Sequence, residues 1–374
     1  MVLAAHKNWN SDEKKGGCFN RFLAEIARRS FVLSSKKEKL MKMLLLRSRL
    51  HRRIRGLLRQ EMSSSSSSAA SVSVCEERGV TSSGIAWRKY SDQGGGEKTD
   101  SAAPLVLVNG FACGASAWGA LPKLLASSRD VITFDHRGLG RSSCNAPSGE
   151  EPGWEDRYSV KAVADEVLEV LDESAKSDAC HLLGISLGGM VAQQIALDRP
   201  LLVKTLTLGC TTHGGRTATP PPKPFLKLAS TWKSTNFADK DVQEDYAGNF
   251  LKFCLPPDFE KRPGGQKLMT RYIEAFLETE LTSVGMTAQT SALFDRFDST
   301  GQLSSLKVPT LVVHGSEDAV MLVENGHSLA SQIPGAEFME LENAGHFWWV
   351  DDTLDIARDL CDFFAKYETA ESKL

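Results

Sequence analysis

Residues His181 to Gln194 read HLLGISLGGMVAQQ: a short apolar run, a serine boxed in by glycines, then a helix-like segment. A strand that turns abruptly into a helix needs small residues on either side of the turn, and Gly184 and Gly188 stand two places before and two after Ser186. The pentapeptide G-x-S-x-G alone decides little, because a tight turn can contain a serine for no chemical reason. What surrounds it in the chain decides.

With 374 residues, the chain has room for one large domain or two modest ones. Hydrophobic residues make up 41% and charged residues 24%, the balance of a globular protein. The net charge of -3 hides an asymmetry: residues 1–62 carry 16 basic against 5 acidic side chains, and the remainder 28 against 42. The folded part is therefore mildly acidic, which removes any general electrostatic case for nucleic acid. Eight scattered cysteines show no C-x-x-C pair and no metal-ligand spacing, a usage that suits a reducing compartment. No apolar run approaches the ~20 residues of a membrane-spanning helix; near the front, MKMLLL is stopped at Arg47.

Residues 1–80 are a different kind of sequence. Met43, Leu46, Leu50, Ile54 and Leu57 recur at helical spacing among six arginines, no acidic residue lies between Lys39 and Gln60, and serines fill positions 63–68. A basic amphipathic helix followed by serine-rich, acid-poor sequence is the pattern of an organelle transit peptide. Met41 or Met43 would open such a peptide more naturally than Met1, because Asp12, Glu13 and Glu25 lie early in the chain. A helix at a membrane surface and a disordered tail are the competing readings. Residues 1–80 are thus expected to be a disordered leader outside the fold, sending the protein to the mitochondrion or another organelle if it targets. Otherwise the protein is expected in the cytoplasm.

From residue 84 strand and helix signals alternate. Gly84–Tyr90 reads as an edge strand, and Leu105–Val108 and Asp130–Phe134 as strands buried on both faces. Helical patterns follow over Ala117–Leu125 and Val160–Ser174, then strand HLLGI, a helix over Leu187–Leu197 and strand VKTLTLGC. VPTLVVHG and AEFMELE add two strands separated by a helix over Leu322–Gln332, and a helix over Leu354–Tyr367 closes the chain. Such alternation predicts an α/β fold with a mainly parallel sheet flanked by helices, whose chemistry gathers beyond the carboxyl ends of the strands. Residues from about 211 to 300 interrupt it with helix-like stretches alone, the signature of a helical cap insertion. Prolines 220, 221, 222 and 224 read as a stiff linker into that cap.

Three strand ends supply complementary groups: Ser186 after HLLGI, Asp318 in HGSED, and His346 in NAGHFW. A serine hydroxyl is a weak nucleophile until a base takes its proton, and an imidazole needs an acid to fix its tautomer. The order Ser, Asp, His is that of nucleophile-elbow hydrolases. With NGF at 109–111, DHRGLGRSS at 135–143, GISLGG at 184–189, HGSED at 314–318 and AGHF at 344–347, residues 84–370 resemble an α/β-hydrolase-fold serine hydrolase of the esterase and lipase kind. That resemblance implies a catalytic triad of Ser186, Asp318 and His346, and an oxyanion hole made by the backbone N–H groups of Phe111 and Leu187. Gly184 and Gly188 then shape the nucleophile elbow. Asn109 stands where the family usually has histidine.

Structural readings accompany each candidate. Glu317 is the rival for the acid role, and His314 reads as a structural residue at a strand end. DHRGLGRSS reads as a loop that shapes the sheet end, with Arg137 a candidate substrate contact, and His213 as a hinge into the cap. No residues suggest a metal site, and no cofactor is expected, since no G-x-G-x-x-G follows an early strand.

The resemblance implies acyl chemistry on a small-molecule substrate. Dehalogenases and epoxide hydrolases of this fold carry aspartate where Ser186 stands. A carboxylic ester, such as a monoacylglycerol, is the favoured substrate. Lactone or carbon–carbon bond hydrolysis, and ligand reception by a hydrolase-like protein, are the alternatives.

Overall fold

The computed structural model describes residues 74–93, 102–146, 153–232, 235–294, 297–350 and 352–368. The leader proposed for residues 1–80 lies outside these, apart from its last seven positions.

Eight strands form one sheet: β1 (Val74–Val80), β2 (Ala86–Asp92), β3 (Leu105–Val108), β4 (Val131–Phe134), β5 (Cys180–Ile185), β6 (Val203–Gly209), β7 (Thr310–Gly315) and β8 (Glu337–Leu341). Their order across the sheet is β1-β2-β4-β3-β5-β6-β7-β8. β1 and β2 pair antiparallel, as do β2 and β4; every other neighbouring pair is parallel. Strands β3, β4, β5 and β7 are buried along their whole length, which is why they read as largely apolar runs.

Helices cover both faces. Because side chains alternate along a strand, Leu105 and Leu107 of β3 enter one core and Val106 and Val108 the other. The first core is closed by α1 (Leu121–Leu125) and, once the chain returns, by its last helix (Thr353–Glu368). The second is closed by α2 (Val160–Ala175) and α3 (Leu187–Asp198). The Ser159 hydroxyl caps α2 by accepting from the Ala162 N–H, and Lys176, at φ 49°, ends it.

Between β6 and β7 the chain leaves the sheet and forms four helices: α4 (Lys223–Thr231), α5 (Lys240–Cys254), α6 (Gly265–Leu277) and α7 (Ser283–Leu293). α8 (Glu324–Gln332) and α9 (Thr353–Glu368) complete the fold. The helical insertion packs on the first core through Tyr246, Phe250 and Phe276, whose rings meet at centroid distances of 5.6–6.4 Å.

Two sequence expectations change. The folded part starts before residue 80: VCEERGV forms β1, the true edge, and displaces β2 inward. Its charged side chains at 76, 77 and 78 suit a strand with one solvent-facing edge, and they hide the strand from any search for apolar runs. The proline-rich linker also contains a helix, α4, with Pro224 in its first turn, where the missing N–H costs nothing.

The DHRGLGRSS loop is held from behind. Arg137 is fully buried; its Nε donates to Glu166 Oε1 at 2.5 Å, while Nη1 donates to the carbonyls of Ser83 and Asn145, each at 3.1 Å. The Tyr158 hydroxyl donates to the other Glu166 oxygen. Burial pushes the Glu166 carboxyl up, and the Arg137 charge and the Tyr158 hydrogen bond oppose it. Arg137 thus ties β2's approach, this loop and α2 together and does not reach the site as a substrate contact. Replacing one partner of a buried pair strands the other, at a typical cost of about 3–5 kcal/mol. We expect Arg137→Met to lower the unfolding free energy by about that amount in urea titrations; a change under about 1 kcal/mol would remove the pair from the framework.

Candidate active site

Ser186 sits between β5 and α3 with φ 55° and ψ -121°, a conformation that L-residues seldom adopt. The surroundings hold it there. Its N–H donates to the Gly209 carbonyl at 3.0 Å, and its own carbonyl accepts from the Thr211 hydroxyl at 2.6 Å and the Gly189 N–H at 2.9 Å. A β-carbon at Gly184 would run into the Gly188 carbonyl, and one at Gly188 into the carbonyls of Val108 and Asn109. The two glycines therefore allow helix, strand and the loop after β3 to close on one another.

Asp318 follows β7 and is buried. Its Oδ1 accepts from the N–H groups of Val320 and Met321, each at 2.8 Å, and its Oδ2 accepts from His346 Nδ1 at 2.8 Å. His314 Nε2 lies 3.3 Å from the same Oδ2 and 2.7 Å from the Met321 carbonyl. Burial alone would raise the Asp318 carboxyl; the charge of His346 and the hydrogen bonds from His314 and His346 outweigh it and hold the group well below the usual carboxylate range. Glu317, the rival acid, is half-buried, and among the described residues no hydrogen bond joins it to the imidazole, whose Nδ1 is taken by Asp318.

Ser186 and His346 line the same cavity, of about 290 Å³, together with Gly110 and Phe111 from the loop after β3. The rest of its wall comes largely from the cap and is apolar, with Phe225, Phe250, Leu293 and Phe297 prominent. Among the described residues, no lysine, arginine, aspartate or glutamate lines it. Leu187 turns its side chain into the second core, and its N–H, the first of α3, meets no acceptor among the described residues.

The loop after β3 shows the same economy. Cys113 N–H donates to the Gly110 carbonyl at 3.4 Å, Ala112 N–H to Gln289 Oε1 at 2.6 Å, Gly114 N–H to Thr279 Oγ1 at 3.2 Å, and Ala115 N–H to Asp135 Oδ1 at 2.8 Å. Of the amides from 111 to 115, Phe111 N–H alone meets no acceptor among the described residues. Asn109 anchors the loop's start, donating from Nδ2 to the Phe134 carbonyl at 2.9 Å. Thr211, Thr279 and Gln289 escaped the sequence reading: each acts across a large separation, and no local pattern marks them.

The other candidates take structural places. His213 is buried, with Nε2 3.0 Å from the Ser328 hydroxyl and Nδ1 3.1 Å from the Thr300 hydroxyl, so it joins the two ends of the cap insertion to α8. Cys210, His314 and Asp318 bring ligand-type atoms within 4.8 Å of one another. Their chemistry is that of a hydrogen-bonded cluster: burial, and then the Asp318 charge, push the Cys210 thiol far up, so it stays protonated.

This sheet, with its cap and strand-end site, defines a hydrolase-type protein. The chain matches the family model for the alpha/beta hydrolase fold over residues 103–352, and it belongs to that family. It is 27% identical over 281 residues to the "Putative carbamate hydrolase RutD" of Serratia proteamaculans (strain 568), covering 75% of this chain and 97% of that one. A solved structure described as Est816, an N-acyl homoserine lactone degrading enzyme, superposes with a TM-score of 0.59 at 25% identity, covering 77% of this chain and all of the other. The enol-lactonase from Burkholderia xenovorans LB400 shares the fold at a TM-score of 0.61 and 21% identity, over 77% of this chain and 100% of its own.

His136 supports the loop after β3 from beneath, with Nε2 3.1 Å from the Asn109 carbonyl. Burial drives its pKa down to about 4, against smaller upward pulls from that hydrogen bond and from Asp135. Between the ordinary histidine value near 6.5 and about 4, the unfolded chain binds a proton that the native state refuses, so stability falls on acidification. Urea titrations at pH 7 and pH 5 should show a loss larger by about 2 kcal/mol in the wild type than in His136→Gln.

Proposed function

We propose that the protein is a serine hydrolase that cleaves a neutral carboxylic ester through an acyl-enzyme on Ser186. The reading rests on one arrangement: a serine held at φ 55° in a cavity that it shares with His346, whose other side is hydrogen-bonded to buried Asp318. His346 takes the Ser186 proton as the hydroxyl oxygen attacks the acyl carbon, and Asp318 stabilises the imidazolium. The N–H groups of Phe111 and Leu187 receive the negative charge that develops on the carbonyl oxygen; one such donor is typically worth about 2.7–4 kcal/mol of barrier. His346 then gives its proton to the departing alcohol, and water repeats the sequence to release the acid.

The cavity wall supports an apolar, uncharged acyl group. An anionic substrate would lose hydration there and would meet no cationic side chain among the described lining residues, which speaks against a charged carbamate. A lactone is the same functional group closed into a ring. The likeness to Est816 keeps it as the second reading.

Purified protein should hydrolyse p-nitrophenyl butyrate and be labelled by a fluorophosphonate. Ser186→Ala should lose both while keeping its fold, and Asp318→Asn should lose turnover by about 10⁴-fold. Near-normal turnover in Ser186→Ala would dismiss the serine as nucleophile.

A further inference from the structure

The loop after β3 makes a tight turn from Gly110 to Cys113, closed by the Cys113 N–H on the Gly110 carbonyl. Ala112, third in that turn, has φ 60°, a region where turns of this kind ordinarily place glycine. The sequence offers no glycine, so something outside the turn must hold it. Gln289, on cap helix α7, is fully buried, and its Oε1 accepts from the Ala112 N–H at 2.6 Å. The amide can face only one way, since the opposite flip would set Nε2 against another donor. Its Nε2 meets no acceptor among the described residues, a cost that a leucine of similar size would not carry.

The consequence concerns the neighbouring peptide. If the Phe111–Ala112 unit turned over, as it does between the two common turn types, its carbonyl would point at Gln289 Oε1 and be repelled. Gln289 thereby fixes the turn whose second residue, Phe111, has an N–H beside the cavity that meets no acceptor among the described residues. We propose that Gln289 is a positioning residue for the oxyanion hole, supplied by the cap rather than by the sheet domain. This rests on the serine hydrolase reading of the site.

The test compares Gln289→Leu with the wild type on p-nitrophenyl butyrate and on n-butylboronic acid, which mimics the tetrahedral intermediate. We expect kcat to fall 10- to 100-fold with KM nearly unchanged, and boronate affinity to fall by a similar factor. Adding Ala112→Gly, which relieves the strain at φ 60°, should restore much of the loss. Gln289→Glu, which keeps an accepting oxygen and removes the unpaired nitrogen, should lie closer to wild type than Gln289→Leu. Wild-type kcat and boronate affinity in Gln289→Leu would overturn the assignment, as would a loss that Ala112→Gly leaves untouched. A wild type with neither ester turnover nor boronate binding would instead refute the reading of the site itself.

Discussion

The first turn of α3 lies so close to the ends of β3 and β5 that no side chain fits between them. Carbonyls of Val108 and Asn109 occupy the space where a β-carbon at position 188 would sit, and the Gly188 carbonyl occupies that of position 184. This contact forces the chain through Ser186 in a left-handed conformation and brings the loop after β3 against the serine. The strain belongs to the fold and is offset by the hydrogen bonds to Gly209, Gly189 and Thr211. A residue that must be strained to permit the packing is also the residue whose hydroxyl stands clear of both helix and strand.

Electrostatics divide the molecule in a matching way. Its buried charges are withdrawn from the cavity: Arg137 and Glu166 pair behind the sheet-end loop, and Asp318 is enclosed by two peptide N–H groups and two imidazoles. Among the described residues, what remains along the cavity wall is uncharged. In such surroundings a few fixed dipoles act with little screening, so the amides of Phe111 and Leu187 would weigh more there than at a wet surface.

Much of this was legible in the sequence because it is local. The strands that precede Ser186 and Asp318 are largely apolar; Ser186 follows β5 directly, and Asp318 stands three residues after β7. The segments that misled share a cause. β1 carries charges on a solvent-facing edge, and α4 opens with prolines that a first helical turn tolerates; in both, tertiary position overrides what the residues suggest alone. The supporting residues were beyond reach for a different reason. Gln289 lies 177 positions from Ala112 and Thr279 lies 165 from Gly114, and a glutamine or threonine on a cap helix announces nothing until the chain has folded.

The cap is therefore more than a cover. Cap residues bond to three of the loops at the strand ends: Gln289 and Thr279 to the loop after β3, Thr282 to the Gly138 carbonyl at 2.5 Å, and the Cys254 carbonyl to the Phe347 N–H beside His346 at 2.9 Å. Swinging α5, α6 and α7 away as one body would break all of these together and loosen the geometry that they maintain. α4 is held differently, burying only Phe225 of its own residues while Leu226 and Ala229 line the cavity. Opening costs least where fewest buried contacts are lost. α4 can therefore shift at lower cost than the deeper cap helices, whose bonds reach the loop after β3.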